Sequence, residues 1–377
     1  MQDFFEWNYW GLSFLGLFII MWAVQLYYFL YYFLRIGGAK MTEFKKHHRP
    51  VSIIIAARNE EKNLMEHIPL IMDQDHTEFE VIVVNDSSWD DTEAILKALH
   101  IQFPNMHIIN LDEEKQNMQG KKFALTLGIK AAKYDTILLT DADCMPLDNS
   151  WITRMTSDLE DPKQLVIGFS PYKKYPGWLN KIIRFDTMII GLQYLSQAKL
   201  GTPYMGVGRN LAYNRALFFS VGGFKSHYSI ASGDDDLFVN QVGNKRNTAV
   251  QFVPESQTSS EPKKSWKEWF TQKRRHFSTA PYYKSSDKSF LGLWPFSFLL
   301  MFVGFAGSMV LKNGMFVVGG MLLVRYIVQL ATLHGSAKRL GLSKDIVWLS
   351  PFLEIHLHVL NAGLYLTNLL RKQQKWN

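Results

Sequence analysis

The chain has 377 residues, 47% of them apolar, with 41 Lys and Arg against 34 Asp and Glu and a single cysteine, Cys144. One cysteine excludes an intrachain disulfide and a CxxC zinc site, and suits a main domain in a reducing compartment. The net charge of +7 fits an anionic membrane surface or a phosphorylated substrate; no nucleic-acid partner is expected, because many basic residues sit beside hydrophobic segments, in Arg35 to Arg49 and Lys263 to Arg275.

From the N-terminus, Trp7 to Leu34 contains no Asp, Glu, Lys or Arg, and about 20 apolar residues already cross a hydrocarbon core. Asp3 and Glu6 precede it without a basic residue, unlike a cleaved signal peptide, so the segment is expected to be an anchor. Arg35, Lys40, Lys45, Lys46 and Arg49 follow, and the positive-inside rule then puts the next domain in the cytoplasm.

Between Pro50 and about Ser285, β-branched runs alternate with helical patterns, which predicts βαβ units and a largely parallel sheet. Strands are expected at Val51 to Ala56, Glu80 to Val84, His107 to Leu111, Thr136 to Thr140 and Leu165 to Phe169, separated by helical stretches such as Asp91 to Ile101 and Lys121 to Ala132. The strands are continuously apolar and so buried on both faces. Ligands in such sheets bind beyond the carboxyl ends of the strands. There the sequence puts Glu60 and Glu61 after the first strand, Asp86 after the second and Asp141-Ala142-Asp143 after the fourth. Neither a GxGxxG turn nor a GxxxxGK[ST] loop is present, so a bound diphosphate needs another source of positive charge. Asp141 and Asp143, two residues apart at a strand end, can point to one side and hold a hard divalent cation, Mg or Mn.

Further along, Lys263 to Phe277 interleaves Trp266, Trp269 and Phe270 with Lys and Arg, as an amphipathic helix at the headgroup boundary does. Trp178 to Leu192 repeats apolar residues at helical spacing and fits either that boundary or ordinary packing on the domain. Phe290 to Leu311 and Gly314 to Leu333, joined at Lys312-Asn313, predict a transmembrane hairpin in which Arg325 is the one charge. Ile346 to Leu370 contains Glu354, His356 and His358, which are costly in lipid unless they face protein. If it crosses, the tail Arg371, Lys372 and Lys375 lies outside, against the charge rule. The resulting division is an anchor over 1–38, a cytoplasmic domain over 39–285 ending in the interfacial helix, and membrane helices over 286–377.

Taken in order, five stretches resemble the family 2 inverting glycosyltransferases. They are Ile55-Ala56-Ala57-Arg58-Asn59-Glu60-Glu61, Asn85-Asp86-Ser87-Ser88-Trp89-Asp90-Asp91-Thr92, Thr140-Asp141-Ala142-Asp143, Gly233-Asp234-Asp235-Asp236-Leu237 and Gln272-Lys273-Arg274-Arg275-His276. The likeness covers about Val51 to Phe277, and the flanking helices resemble membrane members such as ceramide glucosyltransferases and processive polysaccharide synthases. It implies an α/β domain of the GT-A fold, with transmembrane helices at both ends of the chain, that takes a hexose or N-acetylhexosamine from a nucleotide-diphosphate sugar.

By the same resemblance, Glu60 and Asp86 hold the donor nucleoside, Asp141 sits near ribose and diphosphate, Asp143 binds the metal, and Lys121 and Gln272 lie on the donor side. Asp235 matches the general base, with Asp234 as its acidic neighbour. An acceptor hydroxyl must lose its proton as it attacks the anomeric carbon, and a carboxylate in hydrogen-bond reach can take it. Three adjacent acids, Asp234 to Asp236, raise one another's pKa and strengthen that base. Arg275 can stabilise the departing diphosphate. Gly208-Arg209-Asn210-Leu211-Ala212 resembles an acceptor-side loop of the family. His276 departs from the family pattern Gln-x-x-Arg-Trp. An imidazole stacks less area on a sugar than an indole, so a membrane-lipid acceptor is favoured over a long saccharide. Processive polysaccharide synthesis is the second reading, and a non-catalytic sugar-nucleotide sensor or scaffold the third.

Overall fold

The computed structural model describes residues 9–39, 49–112, 120–230, 232–312 and 314–370. Asp3, Glu6, Trp7, Lys40, Lys45, Lys46, Asn313, Arg371, Lys372 and Lys375 lie outside the described residues. The chain divides into two compact units, Met1–Lys40 with Lys284–Asn361 and Met41–Tyr283 with Ala362–Asn377. The first opens with α1 (Tyr9–Tyr27), which passes through a π-helical turn, Tyr28–Phe33, into α2 (Leu34–Gly37). The wide turn coincides with a run of rings: Tyr28 and Phe29 pack on Trp294 with centroids 5.1 and 5.2 Å apart.

The second unit begins with the expected alternation: β1 (Val51–Ala57), α3 (Glu61–Met72), β2 (Phe79–Asp86), α4 (Thr92–Gln102), β3 (Met106–Leu111), α5 (Lys121–Ala131) and β4 (Thr136–Leu139). It continues through β5 (Cys144–Pro146), α6 (Trp151–Thr156), β6 (Leu165–Ile167), α7 (Trp178–Leu200), β7 (Leu211–Asn214), α8 (Arg215–Ser220), α9 (Asp236–Val242), β8 (Thr248–Val250), β9 (Thr258–Ser260) and α10 (Trp266–Phe277). Seven strands form one sheet in the order β3-β2-β1-β4-β7-β6-β8, and β5 with β9 makes a separate antiparallel ribbon. β1 alternates sides. Ile53 and Ile55 join Leu64, Ile68, Trp151 and Met155 in one core. Ile54 meets α5, where a Cβ on Gly128 would lie 2.5 Å from the Ile54 methyl. Each fully buried aliphatic side chain of this kind contributes roughly 2 kcal/mol.

β1 has β2 on one side and β4 on the other, so the chain order reverses there and a crevice opens beyond their carboxyl ends. β7 is antiparallel to both neighbours, an insertion the expectation of parallel strands did not contain. Pairing Leu211 with Leu139 brings the residues just before β7 to the same rim as the residues just after β4.

α7 is buried along most of its length, and Lys273 of α10 forms a buried ion pair at 2.8 Å with Asp186 of α7. Trp269 is 1% exposed. The inward stripe of α10 thus faces protein, and of the two readings of α7 its burial supports packing on the domain, while Trp266 on α10 remains exposed.

Four helices complete the chain: α11 (Ser285–Val310), α12 (Met315–Arg339), α13 (Asp345–Trp348) and α14 (Ser350–Leu370). The expected single stretch from Ile346 is interrupted at Leu349, and Pro351, which has no N–H to donate to the preceding turn, lies in the first turn of α14. Among the described residues, Tyr9–Gly37, Ser285–Val310 and Met315–Arg339 are long and apolar enough to cross a membrane. α11 lies directly on α1: a Cβ on Gly304 would stand 2.7 Å from the Phe18 amide nitrogen. Within this unit the Arg325 guanidinium is fully buried. It donates to both Glu354 oxygens at 2.6 and 2.7 Å, to Gln25 Oε1 at 2.7 Å and to Gln329 Oε1. The acid that is costly in lipid is therefore neutralised by a paired cation on a neighbouring helix.

Candidate active site

Several segments meet at the crevice, and local chemistry fixes each. After β1, Asn59 adopts φ +57°; its amide donates to Ser88 Oγ at 2.9 Å and its side-chain oxygen accepts from the Trp89 amide at 3.0 Å. These bonds tie the loop carrying Glu60 to the loop that follows Asp86. Glu60 accepts from Asn63 Nδ2 at 2.5 Å, and burial together with the charges of Asp143 and Asp141 raises its pKa. Asp86 is buried as the last residue of β2. Next to it a hollow of about 410 Å³ is lined by Ser87, Ser88, Glu93, Asn110, Leu111 and Asp112. Asn110 and Asp112 were not singled out from the sequence, although they end the third strand by the same rule that pointed to Asp86.

After β4 comes the pair Asp141 and Asp143. His67 of α3, buried at 2% exposure, contacts the Ala142 carbonyl between them through Nδ1 at 3.0 Å, and Thr140 Oγ1 donates to the Arg209 carbonyl at 3.1 Å. The ligand atoms of Asp141, Asp143 and Cys144 lie within 4.8 Å of one another. Burial, then the neighbouring acids, pushes the Cys144 thiol well above its ordinary range, and its sulfur lies against Ser260 Oγ at 2.9 Å. Two carboxylates remain as ligands, a hard oxygen set that fits Mg or Mn and not a thiolate-seeking ion. Asp143 is itself raised, by burial and then by Asp141, with the charge of Arg209 opposing.

Gly120, at φ +96°, starts α5 at two lysines that diverge. Lys121 Nζ lies 2.8 Å from Asp141 and 3.0 Å from Asp234, bridging two segments far apart in sequence. Burial would lower its pKa, but Asp141, Asp234 and Asp235 raise it well above the usual value. Lys122 Nζ donates to the carbonyls of His227, Ile230 and Ser232.

The three acids before α9 have separate partners. Burial raises Asp234, but Lys121 outweighs it and the net shift is downward. Asp235 accepts from the Gly208 amide at 2.7 Å and from the Asp236 amide at 2.8 Å. Burial, then Asp234 and Asp236, pushes it up to about 7. Asp236 accepts from Thr279 Oγ1 and from Tyr283 OH at 2.6 Å, fastening the chain after α10 to the acidic loop.

Of the acceptor-side residues, Gly208 stands beside Asp235 through its amide. Asn210 does not face the crevice: it is fully buried, accepts from Trp151 Nε1 at 2.9 Å and donates to the carbonyls of Phe169 and Ser256. Its reading as an acceptor contact is corrected, since every polar atom of its side chain is used in holding the loop. Arg209 beside it, part of the same loop motif but given no role of its own from the sequence, stacks over Tyr172 at 4.5 Å and donates to Ser260 Oγ at 3.1 Å. Its charge acts on Asp143 and Asp141. Gln272 of α10 donates to Tyr172 OH at 3.2 Å, while Arg275 has a buried Nε without an acceptor. His276 is exposed at the end of the same helix.

Residues 52–221 match the family model described as glycosyl transferase family 2. The chain is 26% identical over 188 residues to a Haloferax volcanii protein named glycosyltransferase AglE, covering 49% of this chain and 58% of that one. It is 25% identical over 279 residues to the probable glycosyltransferase YdaM of Bacillus subtilis, covering 68% and 63% respectively. The chain thus spans about six tenths of the length of these relatives. A mannosyltransferase from Pyrobaculum calidifontis, solved with GDP-Man and Mn2+, superposes over 96% of this chain and 100% of its own, with a TM-score of 0.62 at 18% identity. The likeness establishes a shared fold.

Proposed function

Residues 52–221 are a family 2 glycosyl transferase domain, and we propose that the chain uses it to move a hexose or N-acetylhexosamine from a nucleotide-diphosphate sugar to a membrane lipid, with inversion at the anomeric carbon. The observation that carries this reading is the Lys121 bridge, which joins the strand-end pair Asp141 and Asp143 to the acidic loop within one crevice. On the donor side, Glu60 and Asp86 take the nucleoside, and Lys121, Gln272 and Arg275 face the phosphates. A divalent cation held by Asp143 with Asp141 would offset charge growing on the departing diphosphate. On the acceptor side, Asp235 removes the hydroxyl proton as the oxygen attacks. Its pKa of about 7 matches a base that works near neutrality, and two backbone amides fix its orientation.

A lipid acceptor is favoured by the apolar helices at both ends and by His276, which offers little stacking area to a sugar chain. The described ends of those helices support a cytoplasmic site. Arg35, Lys284, Lys288, Lys338, Arg339 and Lys344 lie at one set of ends, and only Lys312 at the other.

The test is transfer from labelled UDP- and GDP-sugars by membranes holding the chain, with Mn or Mg, followed by separation of lipid-extractable from polymeric product. Label in a small lipid, lost in Asp235→Asn, is the expected result. Label in polymer would replace this reading with a processive polysaccharide synthase. Absence of transfer from every donor would leave a sugar-nucleotide sensor.

A further inference from the structure

We infer that Lys122 is a positioning residue for the acidic loop: its buried ammonium, gripping three backbone carbonyls, holds the turn that presents Asp235 to the crevice. The inference rests on Asp235 being the base. An ammonium has three N–H donors and no acceptor, and here the three carbonyls are His227 at 2.6 Å, Ile230 at 2.9 Å and Ser232 at 2.7 Å. The residue is 6% exposed. Among the described residues it makes no ion pair within contact distance, so its hydrogen bonds go to the backbone. Carbonyl oxygens do not converge in this way in a regular helix or strand; their dipoles repel, and a cation at the focus is what permits the turn.

What the turn carries gives the grip its consequence. From Ser232 the chain passes Gly233, at φ +102°, directly into the three acids. Asp234 meets Lys121, Asp235 meets the Gly208 amide, and Asp236 meets Thr279 and Tyr283. Consecutive residues of one helix start therefore act on the same loop from two points: Lys121 on its carboxylate, Lys122 on its backbone. If a donor diphosphate draws Lys121 away from Asp234, Lys122 is the contact from α5 that keeps the base in place. The ammonium is also close enough for its charge to act on all three acids. Methionine would fill the volume without donors, whereas arginine, with a planar fork, can reach some of the carbonyls.

The experiment compares the full chain in detergent with Lys122→Met, Lys122→Arg and Asp235→Asn. It measures kcat and donor KM, affinity for UDP and GDP by calorimetry, and amide exchange over 227–236. Lys122→Met should lower kcat by about 10²-fold, the cost of an ångström-scale misplacement of a reacting group, with nucleotide affinity within about twofold, since uniform binding is untouched. Exchange over 227–236 should accelerate, and Lys122→Arg should recover part of both losses. An unchanged kcat, or unchanged exchange, in Lys122→Met overturns the inference. So does nucleotide affinity falling in step with kcat, which would put Lys122 on the donor. If Lys122→Met does not fold, Lys122→Gln, with two donors, takes its place under the same criteria. Full turnover in Asp235→Asn would instead fail the assignment of the base, while exchange in Lys122→Met still reports the grip on the loop.

Discussion

Replacing Asp235 by Asn should abolish transfer and at the same time make the ligand-free protein more stable. Burial and the flanking acids lift this carboxyl from 3.8 to about 7. At 1.4 kcal/mol per pH unit, keeping it ionised in the folded state costs up to roughly 4 kcal/mol. Asn removes that charge. It offers one carbonyl oxygen where the carboxylate accepts from both Gly208 and Asp236, so one amide loses its partner at a cost of about 1–2 kcal/mol. A net gain of about 2 kcal/mol at pH 8 remains. The sign with pH follows from the raised value: the folded state keeps the proton to higher pH than the unfolded chain. The parent therefore loses stability as pH rises from about 4 to about 7 and is flat above. The advantage of Asn should grow across that window and, with the charge cost gone at pH 4, give way there to a deficit of about 1–2 kcal/mol from the lost amide partner. Thermal unfolding of the full chain in detergent at pH 4, 6 and 8 measures it, and parent turnover should rise with pH to about 7 over the same range. An Asn variant less stable than the parent at pH 8, or a difference that does not change with pH, would refute the reasoning.

Chelation should abolish transfer. Asp143→Asn should weaken Mn binding, read by electron paramagnetic resonance, by 10-fold or more on the order expected for one lost ligand, while Cys144→Ser, at a sulfur set against Ser260 Oγ, leaves it unchanged because Mn prefers oxygen ligands. In the membrane unit, Arg325→Gln or Glu354→Gln alone should destabilise by about 3–5 kcal/mol, and the double variant should recover much of that loss in denaturation from detergent. Gly304→Leu forces α11 off α1 and should lower the melting temperature, whereas Leu at Gly319, which has open space around it, should not.

Much of the site was readable because strand ends are punctuated by chemistry. Glu60, Asp86, Asp141 and Asp143 follow apolar runs, and the structure gathers them at one rim. The antiparallel β7 was not readable, because four residues carry too little periodicity to set a direction. Its reversal is what brings Arg209 and the Gly208 amide beside the acids. Asn210 was misread for a related reason: a polar residue in a loop motif looks available until its partners, Trp151 and two carbonyls, are known. The amphipathic pattern of α10 was seen correctly, but periodicity reports only that a face is covered. Asp186, 87 residues away, decides by what.

If the apolar helices cross a bilayer, the buried Arg325–Glu354 pair bears on how the protein is made. Arg325 leaves the ribosome 29 residues before Glu354, so the insertion machinery receives an uncompensated cation in a segment otherwise fit for lipid, a penalty of about 2.5–3.5 kcal/mol at a helix centre. α12 is then released into the bilayer most favourably once α14 has been synthesised and can pair with it. A nascent chain stopped between the two would carry that cation without its partner acid.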